Sequence, residues 1–394
     1  MLKISTPIKI ALFASYTGRD GEIFALLARS LALRGHPTTD FTFQEIQSDD
    51  SHGHHSISRE TLQSCYEKAL AFDCVLYDSR SLVHYFADKL ASKAMQINLA
   101  PDLNPADSHS YSALEKMIRI FQRLSHEFFA ENIGFKSKRE VLKFRKNLGL
   151  PPGYEKQSIP SIYGVSTHLL PKPKEYPVNS YFTGLWIDRN GGTGKINPLL
   201  FSDKKIVLIV LPKGELNLSF LEMIVRVCQN LCLQPMVAVA PEIEKEIQDL
   251  YKKGLLVIHL DTSDLIPLAH VVIHPGEVKI SMECLWHGKP SLIYSTEYTT
   301  SDQRFWNDLS YVNGCSVKSI TTRTVTETEL IEKVNMLLSH EPILSRCHQV
   351  SELLKSEDGI ERTIQLIEMR FCSQFAFKQT NNHYPELSVF KADE

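Results

Sequence analysis

Several features that would fix a fold or a compartment at a glance are missing from these 394 residues. The eight cysteines are scattered among apolar neighbours with no Cys-x-x-Cys, so neither a disulfide framework nor a zinc ribbon is expected. Cys228 and Cys232 lie one helical turn apart, which fits a buried face better than a ligand pair. No apolar run approaches a membrane span, and the N-terminal stretch lacks the apolar core and cleavage site of a signal peptide. The expectation is a cytoplasmic protein with free thiols. A formal net charge of -3 argues against a general binder of nucleic-acid polymers. No internal repeat is found, although the two halves share a βα rhythm. Arg189-Asn-Gly-Gly-Thr-Gly-Lys195 is not a phosphate loop, because its first glycine is misplaced and Ile196 stands where Ser or Thr must hold Mg²⁺. Ser48 to His55 carries three histidines and two aspartates, but nothing in that turn-rich stretch fixes ligand geometry, and no metal site is expected.

What is present is concentrated between His270 and Trp306. Val271, Val272 and Ile273 form a short apolar run of the kind buried on both faces of a parallel sheet. His274-Pro275-Gly276 breaks it, since proline cannot extend a ladder and glycine admits tight backbone geometry. From Val278 to His287 the apolar residues Ile280, Met282 and Leu285 share a helical face, and Gly288 ends the helix. Leu292 to Tyr294 is a second strand. Strand, tight turn, helix and strand in a parallel sheet leave the helix amino end free to hold an anion. An ordinary capped βαβ unit is the plainer reading of the same pattern. Glu283 lies one turn into the helix, within reach of a ribose. Asp302-Gln303, after the next strand, pairs an acceptor carboxylate with an amide, which suits sugar hydroxyls.

A chain of this length exceeds what one core supports, so two domains are expected. The first opens with a strand over Ile8–Ala14, the turn Thr17–Glu22, a helix over Ile23–Arg34 and a strand over Phe41–Phe43. Further strands are expected at Cys74–Tyr77 and Ala94–Leu99, and helices over Leu114–Phe129 and Lys136–Lys146. The last is basic and amphipathic; a solvated face, an acceptor contact or an anionic lipid surface would each suit it. The Gly-rich segment 189–203 is the expected linker. Beyond it come strands at Ile206–Leu211, Pro235–Ala240 and Leu255–Leu260. Helices are expected over Leu218–Leu231, Glu242–Lys252, Val325–Leu338 and Ile360–Phe375. The expected division is 1–188, linker 189–203, 204–376 and a tail 377–394.

These stretches resemble a family. His274-Pro-Gly-Glu-Val-Lys-Ile-Ser281, Gly288-Lys-Pro290 and Asp302-Gln-Arg-Phe-Trp306 are similar to the signature of the two-domain glycosyltransferases of GT-B fold. The likeness is to the group containing sterol glucosyltransferases, plant glycosyltransferases and the glycopeptide and macrolide enzymes. There a strand ends in His-His-Gly-Gly-x-Gly-Thr-Thr, followed by Gly-x-Pro and Asp-Gln-x-x-Trp. Leu148-Gly-Leu-Pro-Pro152, Ile159 to Gly164 with Ser166 to Pro173, and Phe182 to Trp186 resemble further segments of the sterol-type enzymes. The resemblance implies an α/β protein of two Rossmann-like domains facing each other across a cleft, its last helix crossing back to the first.

It also implies roles. Asp20 falls on the catalytic base of the glycopeptide enzymes, although Gly18 and Arg19 are swapped relative to that motif; a helix-capping aspartate is the alternative. The donor would contact His274, Gly276, Lys279, Ser281, Glu283, Asp302 and Gln303, with Arg19, Lys213 and Gly214 as diphosphate or loop contacts. The implied activity is metal-independent, inverting transfer of a hexose from a UDP- or dTDP-sugar to a hydroxyl of a lipophilic or natural-product acceptor. No cofactor is implied, and contact with the inner face of a membrane would be peripheral. Pro275, Glu277, Lys279 and Ile280 depart from the signature, so the alternative function is a glycosyltransferase-like partner or regulatory scaffold with weakened catalysis.

Overall fold

A computed structural model describes residues 7–15, 18–41, 57–100, 135–152, 159–172, 176–189, 203–211, 217–238, 244–258, 260–295 and 300–372. Their strands form two six-stranded parallel sheets. The first is ordered β2-β1-β3-β4-β5-β6, from β1 (Ile10–Phe13), β2 (Thr38–Asp40), β3 (Cys74–Tyr77), β4 (Ala94–Asn98), β5 (Ser161–Tyr163) and β6 (Ser180–Phe182). The second is ordered β12-β11-β10-β7-β8-β9, from β7 (Ile206–Val210), β8 (Gln234–Ala238), β9 (Leu256–Ile258), β10 (Val271–His274), β11 (Ser291–Ser295) and β12 (Ile320–Thr321).

The central strands are short and apolar because both faces of each sheet are covered there, whereas the edge strand β2 is polar and largely exposed. Ile10 and Leu12 point into one core and Ala11 and Phe13 into another. Val207 and Ile209 likewise face one layer while Ile206, Leu208 and Val210 face the opposite one. This alternation is the two-residue period of a strand, here with no polar face.

The helices that matter below are α1 (Gly18–Leu33), α2 (Arg59–Leu70), α3 (Phe135–Asn147), α4 (Leu218–Asn230), α5 (Val278–Trp286), α6 (Ser301–Val312), α7 (Glu327–Ser339), α8 (Glu341–Lys355) and α9 (Gly359–Phe371). Among the described residues none is long and apolar enough to cross a membrane. α5 rests on α8, where Ser351 Oγ donates to Trp286 O and Gly288 lies against the Cys347 backbone. α9 instead belongs to the surface of the first sheet's lobe. Arg34 pairs with Glu361 and Glu368, and Thr363 Oγ1 donates to Thr183 Oγ1. At Gly359 a Cβ would fall 2.3 Å from Leu185 O, so only glycine allows this docking.

Some boundaries differ from expectation for identifiable reasons. The second strand is Thr38–Asp40, earlier than the expected start at Phe41, because Ile10 pairs with Thr38; Phe41 continues the ladder through Leu12 O and stacks its ring on Phe13, while Thr42 and Phe43 lie outside the described residues. In place of one helix over Glu242–Lys252, the described residues give a 3₁₀ turn at Lys245–Ile247 and one helical turn at Gln248–Tyr251. Asp302 and Gln303, expected after the strand Leu292–Tyr294, lie in the first turn of α6. α2, α6 and α8 have no counterpart among the expected elements. The expected helix over Leu114–Phe129, the Ser48–His55 stretch, most of the linker and the tail lie outside the described residues.

Candidate active site between the two sheets

Each sheet changes direction at one point, between β1 and β3 in the first and between β7 and β10 in the second. Ligands of open α/β sheets bind outside the carboxyl ends of strands at such points. Here the two points meet. α1 follows β1, α5 follows β10, and the first turn of α1 lies on the amino end of α5.

The turn before α5 is held by its own side chains. Gly276 has φ +84°, and a Cβ there would meet Ile293 Cγ2 at 3.1 Å. His274 Nδ1 accepts the Gly276 N–H at 3.2 Å, which leaves the proton on Nε2. That Nε2 is buried and has no hydrogen-bond partner among the described residues. Burial lowers the imidazole pKa to about 3, so His274 is neutral at physiological pH.

Glu277 stands at the N-cap of α5 but its side chain does not cap it. Arg19 takes it instead, with Nη1 2.8 Å from Glu277 Oε2 and 3.1 Å from Leu211 O. The cap comes from the other lobe. Asp20 Oδ1 accepts the Lys279 N–H at 2.9 Å, beside the N–H of Val278. Loss of hydration raises the Asp20 pKa to about 7; the two N–H groups oppose that rise, and the charges of Glu277 and Asp302 add to it.

Lys279 anchors a second polar knot. Its Nζ lies 2.5 Å from Glu22 Oε2, 3.4 Å from Asp261 Oδ1 and 3.8 Å from Glu283 Oε1. Burial works to lower its pKa, but Glu283, Glu22 and Asp261 outweigh burial and raise it. Glu283 is buried, with Oε1 accepting from Ser263 Oγ at 2.6 Å and Oε2 without a partner. Desolvation pushes its pKa up to about 7, against the pull of Lys279 and Ser263.

On the far side Asp302 forms an ion pair with Arg80 of the first lobe. Arg80 is itself placed by Asp78, whose Oδ1 accepts the Arg80 N–H at 2.6 Å. Asp78 also accepts from the Ser15 backbone and hydroxyl, tying the start of the β1–α1 connection to β3. Trp306 Nε1 donates to Leu99 O at 3.0 Å, so α6 too is stitched to the first lobe. Apolar packing is continuous across this seam, where Val278, Met282, Phe305 and Trp306 join the core that holds Phe24, Leu99 and Trp186.

The expected site residues therefore gather, but with their polar groups turned to one another. Asp20, Arg19, Lys279, Glu283 and Asp302 take part in bonds that cross the seam or line it. Ser281 is spent inside the helix, its Oγ donating to Glu277 O. Gln303 closes a capping box with Thr300, its Oε1 accepting the Thr300 N–H at 2.8 Å. Lys213 and Gly214 lie outside the described residues. Ser15, Glu22, Asp78, Arg80, Asp261 and Ser263 were not singled out from the sequence. Asp78-Ser-Arg80 follows directly on the apolar run of β3, and a charged pair at the carboxyl end of a buried strand was the available signal. Among the described residues no group of three His, Cys, Asp or Glu side chains is placed to hold a metal.

Two opposed Rossmann-like units meeting at their carboxyl edges define the GT-B fold, and comparison with known proteins agrees. No family model matches the chain. It is 22% identical over 295 residues to the O-mycaminosyltylonolide 6-deoxyallosyltransferase of Streptomyces fradiae, covering 71% of this chain and 67% of that protein. The structure of the kitacinnamycin glycotransferase superposes with a TM-score of 0.71 at 18% identity, over 93% of this chain and 99% of that one. CalG4, the calicheamicin glycosyltransferase, gives 0.67 at 13% identity, over 93% and 98%. The spinosyn rhamnosyltransferase SpnG complexed with thymidine diphosphate gives 0.63 at 12% identity, over 91% and 99%. At these identities the likeness is one of fold, and the chain has the GT-B fold.

Proposed function

We propose that the protein is an inverting glycosyltransferase that moves a hexose from a UDP- or dTDP-sugar to a hydroxyl of a lipophilic or natural-product acceptor. One observation carries the reading. A carboxylate with a pKa near neutrality, Asp20, projects from one lobe onto the amino end of the helix that follows the central strand of the other. The two groups that the reaction needs on opposite sides of the anomeric carbon are thereby brought to one place.

In the reaction, an acceptor oxygen attacks the anomeric carbon as the bond from that carbon to the diphosphate oxygen breaks. The acceptor proton passes to Asp20. General-base help of this kind contributes roughly 10²–10⁴ in rate. The electron pair leaves with the nucleoside diphosphate, whose charge falls on the N–H groups of Val278 and Lys279 and on the Lys279 ammonium. Glu283 is proposed for the ribose and Asp302 with Gln303 for the donor sugar, with Arg80 holding Asp302. His274, Gly276 and Ser281 form and steady the loop, and Arg19, Lys213 and Gly214 flank the diphosphate. A single displacement inverts the anomeric centre. Helix end and ammonium supply the positive charge, so no metal and no cofactor are assigned.

The two units are proposed to divide as 1–188 and 204–376, with 189–203 as linker. A cytoplasmic location is proposed. The exposed basic face of α3 is assigned at most a peripheral contact with anionic lipid, since its other face is buried through Val141 and Phe144. Incubation with UDP- and dTDP-sugars and an acceptor panel tests the reading by release of nucleoside diphosphate. Asp20→Asn should abolish release with the fold intact, and full activity in that variant would overturn the assignment of the base.

A further inference from the structure

The amino end of α5 is already occupied. Of its N–H groups that of Lys279 is taken by Asp20, and the side chains on either side are committed as well: Glu277 to Arg19 and Lys279 to Glu22. All three partners come from the first five residues of α1. A diphosphate placed on the same N–H groups would meet a carboxylate at hydrogen-bond distance, and two anions in that space repel strongly. His274, in the turn just before, keeps a fully buried Nε2 with no partner, a second donor group left unused while Asp20 holds the helix.

We infer that in the chain without donor Asp20 stands in for the donor's diphosphate, closing the seam between the lobes, and that an incoming diphosphate must expel it. This rests on the glycosyltransferase reading only for the identity of the anion. Exchange of anions on α5 is then the event that frees the base, so an acceptor cannot be deprotonated before a donor is seated. The departures at Glu277 and Lys279 acquire a role in this arrangement. They replace small signature residues with side chains that grip α1.

Inorganic pyrophosphate is a probe that carries the relevant charge and nothing else. Calorimetric titration should show that Asp20→Ala binds pyrophosphate at least about tenfold more tightly than the full-length wild-type chain, because the competing carboxylate is gone. Equal or weaker binding by a folded Asp20→Ala overturns the proposal. Amide hydrogen exchange on the wild-type chain gives a second reading that needs no variant. Saturating pyrophosphate should speed exchange across the first turns of α1 while Val278 and Lys279 stay protected. Slower exchange in both segments would mean that the anion adds to the Asp20 contact instead of replacing it, and would also overturn the proposal. Neither readout depends on sugar transfer. A chain that exchanges Asp20 for pyrophosphate yet transfers no sugar would sink the proposed function and leave this inference standing.

Discussion

The Asp20 carboxylate and the Lys279 backbone nitrogen lie 2.9 Å apart, although they belong to different sheets' lobes. Asp20 thus caps a helix, but not the one it sits on. In α1 it occupies the first turn, and its acceptor oxygens serve α5. The same geometry gives the carboxylate both a reason to be there without ligand and a position from which to act as a base.

The pH dependence of activity follows from Asp20. With its pKa near 7 while it caps α5, the deprotonated form should accumulate between pH 6 and 8, so kcat/KM, which reports the free chain, should rise through that range with an inflection near neutrality. A kcat/KM profile flat from pH 6 to 8 would contradict the assignment.

Stability should run the other way. Asp20 and Glu283 both have folded pKa values near 7, above their ordinary carboxylate values of 3.8 and 4.5. Between about pH 4 and 7 the folded chain binds more protons than the unfolded chain, so stability contributed by these groups is present at low pH and is lost as pH rises through 7. Chemical denaturation at pH 5.5 and 8 should show the fall, and Glu283→Gln should reduce it. A Glu283→Gln variant with an unchanged pH slope would remove Glu283 from the account.

Two glycines should differ in cost. Gly276→Ala imposes φ +84° on a residue with a Cβ and crowds Ile293, a strain of about 1–3 kcal/mol. Gly359→Ala drives a Cβ into the backbone oxygens of Gly184 and Leu185, at 2.6 and 2.3 Å, where nothing can rotate aside. It should lower the melting temperature more than Gly276→Ala does, by undocking α9 from the first lobe. The reverse order in a thermal melt would argue against that docking.

Arg80 and Asp302 should be energetically coupled across the seam. Hydrogen bonds to charged groups contribute about 1.5–3 kcal/mol, and the pair is largely shielded from water. A double-mutant cycle with Arg80→Ala and Asp302→Ala should recover a coupling of about that size. Additive losses would place the two residues apart in solution.

The sequence carried the central unit well. An apolar run, a Pro-Gly break and a helical period ended by glycine locate β10, α5 and β11 to within a residue or two, because each signal is local. α8 has no counterpart among the expected elements, which pass from Leu338 to Ile360; it begins after the single residue His340, and Pro342, a helix-starting residue in its first turn, reads equally as a stop. Arg80, Asp78 and Glu22 were silent for another reason. Their partners lie in distant parts of the chain, and an ion pair closed by the meeting of two lobes leaves no periodicity in either segment. The helix-capping alternative for Asp20 turned out to describe its geometry, on a helix that no local pattern could have named.

The most direct measurement is product analysis with a panel of UDP- and dTDP-hexoses, following nucleoside diphosphate release and the anomeric configuration of the new glycoside by NMR. The account predicts release from at least one donor with inversion at the anomeric carbon, and loss of both in Asp20→Asn. Failure of every donor to bind or be cleaved by the folded protein, or a product that retains the donor's configuration, would contradict it.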